Sequence, residues 1–359
     1  MATTAWVQFC EEGAMALPIG KDYLAMEAEV AGEIPKGEVW QYEPKWDGFR
    51  CLAFREGGEV RLMSKAGQRL ERYFPEMVAA LLAVKAKAFV VDGELIVTDK
   101  RRLDFDALLQ RIHPAESRVR KLSVETPATY VVFDLLVDER GRDLTGKVLS
   151  VRRAALEKFA GKYFAEGGRL RLSPATGEFA EAKRWFKRML GPLDGVIAKR
   201  VDAAYASGER SAAMVKIKNH RTADCVVGGF RYGTKTKEVG SLLLGLYNAE
   251  GKLDHVGFTS GFAGIDKKEL TRKLEGLVEK PGFTGAAPGG PSRWSKGGRS
   301  ADWKPLKPVL VVEVAYDHFS GRRFRHGTRL VRFRPEKKAG ACKLEQVKRE
   351  SASPLTLLD

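Results

Sequence analysis

The sequence predicts an α+β chain in two parts: a larger mixed domain, then a small basic β-barrel of the OB type. Three observations lead there. Strand-like and helix-like patterns alternate up to about residue 220. After Asn219 the texture changes to five short strands with a single helix, which suits a small barrel. The positive charge also concentrates in that second part. Residues 1–220 hold 36 basic and 31 acidic side chains, whereas residues 221–359 hold 26 and 15. The expected domains are therefore 1–219 and 220–359.

Taken in order, Val39–Tyr42, Phe49–Arg55 and Glu59–Met63 are short apolar-rich runs, the last two separated by Gly57-Gly58, and read as strands. Tyr73–Lys85 reads as a helix with Met77, Leu81, Leu82 and Val84 partly on one face. Phe89–Thr98 reads as a pair of strands interrupted at Asp92-Gly93, and Phe105–Ile112 as a helix stopped before Pro114. Strands follow at Thr129–Val137, Arg169–Ser173 and Gly195–Arg200, and helices at Val151–Tyr163 and Glu178–Leu190. The second part offers strands at Asp224–Arg231, Gly240–Asn248, Lys252–Gly257, Val309–Tyr316 and Arg329–Arg334, with a helix at Lys267–Glu279. Gly282–Gly298, rich in Gly, Pro, Ser and Ala, reads as a loop.

Composition narrows the class. Hydrophobic residues make up 44% of the 359, enough for sizeable cores and against a disordered chain. No apolar run approaches the roughly 20 residues that span a bilayer. Met1–Glu12 lacks the basic-then-apolar pattern of a secretory signal. Cys10, Cys51, Cys225 and Cys342 form no CxxC pair, which argues against a zinc site or a disulfide framework. A soluble, cytoplasmic protein without a membrane partner is expected. The net charge of +16 is compatible with simple solubility, but its concentration favours a polyanion. Gly321–Lys343 sharpens that reading, with nine basic side chains against Glu336 alone.

The residues that bear chemistry begin at Lys45-Trp46-Asp47-Gly48-Phe49-Arg50, just after the first strand. A lysine at a strand end becomes a nucleophile if desolvation and nearby cations lower its pKa and free the lone pair. On its own this run is ordinarily a surface turn. Further patterns accompany it. Asp92-Gly93-Glu94 puts acids on an apolar strand, where a buried carboxylate needs a cation or donors. Tyr130–Asp134 places Phe133 and Asp134 on opposite strand faces. Asp194–Lys199 repeats the acid–Gly–apolar–Lys pattern, and Met214–Lys218 puts Lys216 and Lys218 on one face.

In this order the motifs match the six of the covalent nucleotidyltransferases. The sequence resembles the ATP-dependent DNA ligases, most closely the compact bacterial enzymes of the ligase C and ligase D type, from about Ala16 to Glu345. Ser64-Lys65-Ala66-Gly67 with Phe74-Pro75-Glu76, the Ser207–Ser211 run and Arg332–Lys337 complete the set. Four positions depart from the family pattern. Lys65 stands for Arg, Asp194 for Glu, Met214 for Trp, and Glu336 for Asp.

The resemblance implies an N-terminal nucleotidyltransferase (adenylation) domain before the barrel, and an enzyme that seals nicks through lysyl-AMP. Lys45 would be the nucleophile, with Lys216 and Lys218 on the α-phosphate and Lys199 nearby. Arg50, Lys65 and Arg210 would serve the nucleotide, Phe133 would stack on adenine, and Glu43 would face its amino group. Glu94 and Asp194 would hold Mg2+, or Mn2+ in its place. Arg334 and Lys337 would orient the departing pyrophosphate, with 218–222 as the hinge. The implied cosubstrate is ATP and the implied partner nicked double-stranded DNA. A monomer in DNA repair, nucleoid-associated, with DNA-end-binding repair proteins as partners, completes the expectation. An RNA ligase, a GTP-using capping enzyme and a non-catalytic nucleic-acid-binding module remain as alternatives.

Overall fold

The computed structural model describes residues 16–99, 102–188, 193–218, 221–262, 264–289, 302–347 and 353–358. The chain forms two compact units, Met1–Lys218 together with Ala352–Asp359, and Asn219–Ser351. The expected boundary at 219/220 assigned the C-terminal tail to the second domain. It groups with the first instead, because Leu355, Leu357 and Leu358 pack against Trp46, Ile96, Val131 and Leu193.

The first unit contains β1 (Glu27–Val30), β2 (Trp40–Pro44), β3 (Phe49–Glu56), β4 (Glu59–Ser64), α1 (Pro75–Ala83), β5 (Ala88–Asp99), β6 (Arg102–Leu103) and α2 (Phe105–Gln110). It continues with α3 (Glu116–Glu125), β7 (Ala128–Val137), α4 (Leu149–Tyr163), β8 (Leu170–Leu172), α5 (Phe179–Arg188), β9 (Gly195–Arg200) and β10 (Arg210–Lys218). One sheet runs β4-β3-β5-β7-β8, with β6 added to β5; the other runs β1-β10-β9-β2. β5 and β7 are nearly continuous apolar runs because both faces are covered. On one face, Met77 and Leu81 of α1 and Leu156 and Phe159 of α4 pack on Val91, Leu95 and Val132. On the other, Leu52, Phe54, Val90 and Leu136 meet Met214 of β10, so the two sheets face each other.

The expected strand pair at Phe89–Thr98 is one strand, β5. Gly93 makes no turn. A Cβ there would lie 2.5 Å from the Val131 carbonyl and 2.6 Å from the Tyr130 ring, so only glycine allows β7 so close. The irregularity appears as a register shift against β7 between Asp92 and Gly93. The sequence reading missed α3, β1 and β6. α3 buries only Val119, and β1 is four residues of a half-exposed edge, so neither carries a strong apolar period. The last two residues of the expected helix Glu178–Leu190 lie outside the described residues.

A buried ion pair ties the helices to the sheet. Arg111, fully enclosed just after α2, donates to both oxygens of Glu76 at 2.6 and 2.8 Å and to the Tyr73 carbonyl at 2.7 Å. Glu76 also accepts from the backbone of Ala128 at 3.0 Å. Removing one partner leaves an uncompensated buried charge. Glu76→Ala should therefore lower unfolding stability by about 3–5 kcal/mol in urea titrations. A loss below about 1 kcal/mol, the range of exposed pairs, would contradict this account.

The second unit contains β11 (Arg221–Tyr232), β12 (Val239–Tyr247), β13 (Leu253–Gly261), α6 (Lys267–Glu275), β14 (Lys304–Pro305), β15 (Val311–Tyr316), β16 (Phe319–Ser320), β17 (Arg323–Phe324) and β18 (Thr328–Phe333). The order β12-β13-β18-β15-β11 closes because β11 also pairs with β12, giving a five-stranded barrel of the OB type. Its interior is filled by Val226, Leu242, Leu244, Leu246, Val256, Val312 and Val314. α6 starts at Asp266, whose carboxylate accepts from Lys268 and Glu269 backbone N–H groups, and inserts Leu270 and Leu274 into that core. The helix ends at Glu275, earlier than expected, with Gly276 at its C-cap. Residues 282–289 form no helix or strand, as a loop would; 290–298 lie outside the described residues. Lys218 ends β10 and Arg221 begins β11, while residues 219 and 220 of the expected hinge also lie outside them. Among the described residues, no helix is long and apolar enough to cross a membrane.

Candidate active site

A pocket opens in the first unit where residues of both sheets converge. Glu27 of β1, Glu43 and Pro44 of β2, Arg50 of β3, Glu94 of β5, Phe133 of β7, Ile197 and Lys199 of β9, and Met214 and Lys216 of β10 line it, with Lys45, Trp46 and Lys65. Four cations besides Lys45 thus border one cavity. A space so charged favours a polyanionic ligand.

Lys45 follows β2 directly. Its N–H donates to the Gly195 carbonyl at 3.0 Å, and its own carbonyl accepts from Asp194 N–H at 3.0 Å. Gly48 keeps the next turn of chain tight: a Cβ there would lie 2.1 Å from the Leu95 carbonyl. The Lys45 ammonium forms an ion pair with the Asp194 carboxylate. Burial pulls the amine's pKa down, but the charge and hydrogen bond of Asp194, with Glu94 and Asp47, outweigh it, so the net shift is upward. The condition stated for a nucleophilic lysine, a pKa lowered by burial and nearby cations, is not met in this arrangement. The neighbours nearest the amine are carboxylates, and they hold its proton.

Arg50 is fixed from behind. It donates to both oxygens of Asp92 at 2.6 Å, and Tyr205 Oη donates to the same fully buried carboxylate at 2.6 Å. Tyr205 Oη in turn accepts from Met26 N–H at 3.0 Å, which ties the pocket wall to this anchor. Arg50 lies 4.4 Å from the Phe133 ring centroid and Lys199 4.5 Å, so the ring sits among cations. Lys199 donates to Glu43 Oε2 at 2.8 Å, and Gln41 donates to Glu43 Oε1 at 2.8 Å. Glu43 therefore enters the site already paired.

Lys65, which lines the pocket, and Arg210, which does not, converge on one oxygen of Glu27, at 2.9 and 2.8 Å. The hydrogen bonds from Arg210 and Lys65 hold the Glu27 carboxyl down at about 2. Lys216 lines the cavity; burial, then the charges of Lys65 and Lys45, lower its pKa. Lys218, opposite Gly195 in the β10–β9 ladder, is not among the lining residues. Arg334 and Lys337 belong to the second unit, where both pair with Asp224, at 2.9 and 2.6 Å. The sequence reading assigned no role to Glu27, Asp92 or Tyr205. Asp92 stands two residues before Glu94 on the same strand, whereas Tyr205, in an alanine-rich stretch, carries no signal of its partner.

Among the described residues, no group of three or more His, Cys, Asp or Glu side chains is arranged to hold a metal. Glu94 and Asp194 nevertheless supply hard oxygen donors around Lys45. Such a pair fits an ion that keeps most of its ligands as water and substrate oxygens, as Mg2+ does. Glu94 has no ion-pair partner among the described residues. Burial raises its carboxyl from 4.5 to about 7, with Lys45 and Arg50 opposing. The folded protein therefore holds a proton that the unfolded chain releases. This contribution to stability is present below pH 4.5 and is lost as pH rises through about 7. Glu94→Gln should remove that loss. Its stability relative to the parent should rise by up to about 3 kcal/mol between pH 4.5 and 8 in metal-free buffer. Parallel pH profiles in denaturant titrations would contradict the assignment.

Comparison with known proteins places this site in a family. The family model for the ATP dependent DNA ligase domain matches residues 24–218, and the model for the ATP dependent DNA ligase C terminal region matches residues 235–337. DNA ligase C2 of Mycolicibacterium smegmatis is 42% identical over 93% of this chain and 96% of its own length. DNA ligase C of Mycobacterium tuberculosis is 41% identical over 96% of this chain and 97% of its own. The multifunctional non-homologous end joining DNA repair protein LigD of Mycobacterium tuberculosis is 32% identical over 83% of this chain, which matches 36% of that longer protein. A solved structure from work on Lig E DNA ligases, 15% identical, covers 87% of this chain and 99% of its own with a TM-score of 0.53, a likeness of fold. The chain belongs to the ATP-dependent DNA ligase family.

Proposed function

We infer that this ligase seals 5′-phosphate/3′-hydroxyl nicks in duplex DNA through lysyl-AMP formed on Lys45. The observation that supports the assignment is the placement of Lys45 at a pocket bordered by Arg50, Lys65, Lys199 and Lys216. Lys45 Nζ, once deprotonated, attacks the α-phosphorus of ATP, and the bond to pyrophosphate breaks. The 5′-phosphate of the nick then takes AMP from Lys45. Finally the 3′-hydroxyl attacks that phosphate, and AMP leaves. Each step gathers negative charge on phosphate oxygens, which the fixed cations stabilise without reorganising. Lys216 and Lys218 serve the α-phosphate, Arg50 and Phe133 the nucleoside, and Lys65 and Arg210 the phosphate at the pocket rim.

Glu94 and Asp194 would hold Mg2+, which when bound supplies positive charge to phosphate oxygens. Asp194 has a second task. While it pairs with Lys45 it keeps the amine charged, so attack requires that carboxylate to be engaged elsewhere. The net charge of +16 suits a DNA backbone as partner. By likeness to the end-joining relative, DNA-end-binding repair proteins are the partner class we assign, with a cytoplasmic, nucleoid-associated location.

Lys45→Ala should form no covalent adduct with α-labelled ATP, yet should still seal a nick that is already adenylylated. A labelled variant would remove Lys45 as the nucleophile. Arg334 and Lys337 we assign to pyrophosphate departure. Arg334→Ala should slow lysyl-AMP formation about tenfold or more, the scale of one lost charged contact, and spare sealing of the pre-adenylylated nick. Equal losses at both steps would reduce Arg334 to its pairing with Asp224.

A further inference from the structure

The chain leaves the first unit after Lys218 and is back in it by Ser353. Pro354–Leu357 forms a single 3-10 turn, capped by Ser353, whose Oγ accepts from Leu355 N–H at 3.2 Å. Arg171, at β8, donates to the Leu358 carbonyl and fastens the end of the segment. Leu355, Leu357 and Leu358 pack on the cluster of Trp46, Ile96, Val131 and Leu193. Leu357 also packs against the neighbouring cluster of Tyr42, Val196 and Ile217.

Trp46 is the residue after Lys45. It lines the nucleotide pocket and also belongs to the cluster that the tail packs on. Its indole is 4% exposed, and Nε1 donates to Ser173 Oγ at 3.0 Å. The Ser173 carbonyl accepts from Arg153 at 2.9 Å. The stretch from Lys45 to Gly48 lies between β2 and β3, outside either strand; backbone bonds to residues 194 and 195 hold it at Lys45, and Trp46 is its large buried side chain. The three leucines of the tail pack against the cluster to which the Trp46 ring belongs. Without them that cluster would border a cavity, and the loop that carries Trp46 would relax into it.

We propose that the C-terminal segment 353–358 is a positioning element for the Lys45 nucleophile, acting through Trp46. The proposal rests on the reading of Lys45 as the adenylylated residue. The nucleophile is then completed by residues that follow the barrel in sequence. A displacement of about 1 Å at a reacting group can cost on the order of a hundredfold in rate, so even partial relaxation is measurable.

The test compares the full chain with a chain ending at Ala352. Single-turnover formation of lysyl-AMP from α-labelled ATP should slow by about tenfold at saturating ATP, given that scale. The KM for ATP and the sealing of a pre-adenylylated nick, which does not use the Lys45 amine, should each stay within about twofold, short of a lost ground-state contact. A synthetic peptide of residues 353–359 at millimolar concentration, the effective concentration of a short tether, should restore most of the rate. If the shortened chain does not fold, Leu357→Ala in the full chain should show the same split between steps with a smaller loss. Unchanged lysyl-AMP formation, equal losses at both steps, or failure of the peptide to restore the rate would overturn the proposal. A full chain that forms no lysyl-AMP would refute the nucleotidyl-transfer reading itself, and this proposal with it.

Discussion

Lys45 keeps its proton because Asp194 lies against it, and much of the first unit holds that pair in place. The backbone of Lys45 is bonded to Gly195 and Asp194, so the amine and its counter-ion ride on one junction between β2 and β9. Burial alone would turn the amine toward its neutral form. The carboxylate reverses the outcome by giving the charged form a partner where water is scarce. Lys45 is therefore held as an ammonium, and under the proposed function its attack depends on what draws Asp194 away.

Most other cations at the pocket are likewise paired with acids, Lys216 excepted among the described residues. Asp92, with Tyr205, holds Arg50; Glu43, with Gln41, holds Lys199; Glu27 holds Lys65 and Arg210. Behind these, Asp134 and Arg152 form a buried pair at 2.9 and 3.0 Å, and the Arg152 guanidinium lies 5.6 Å from the Tyr205 ring. Glu94 is the exception, a carboxylate without an ion-pair partner among the described residues. That isolation suits it to a ligand's charge rather than to a neighbour's.

Local pattern made most strands legible, because β3, β5, β7 and the barrel strands are apolar runs bounded by turns. It failed where packing gives little periodic signal, as in α3 with its single buried residue Val119. It also failed at Gly93, where a close approach between strands has the same letter as a turn. The pocket cations stood in recognisable motifs, as did several of their acidic partners, but which acid pairs with which cation did not announce itself. Glu27 is 183 residues from Arg210, and Tyr205 is 113 from Asp92. Nor did the sequence reveal that three leucines at the chain's end pack on the cluster that holds Trp46. Such pairings are set by topology, and no window along the chain contains them.

The most direct test of this account is the titration of Lys45 itself. In protein labelled with 13C-lysine, the Lys45 signal can be assigned by its absence in Lys45→Arg and followed with pH by NMR. The account predicts a midpoint above the ordinary 10.5 in the parent. It also predicts a fall in Asp194→Asn, where burial acts with less opposition. A parent midpoint below the ordinary value, or one that Asp194→Asn leaves in place, would contradict the claim that this ion pair governs the protonation of Lys45.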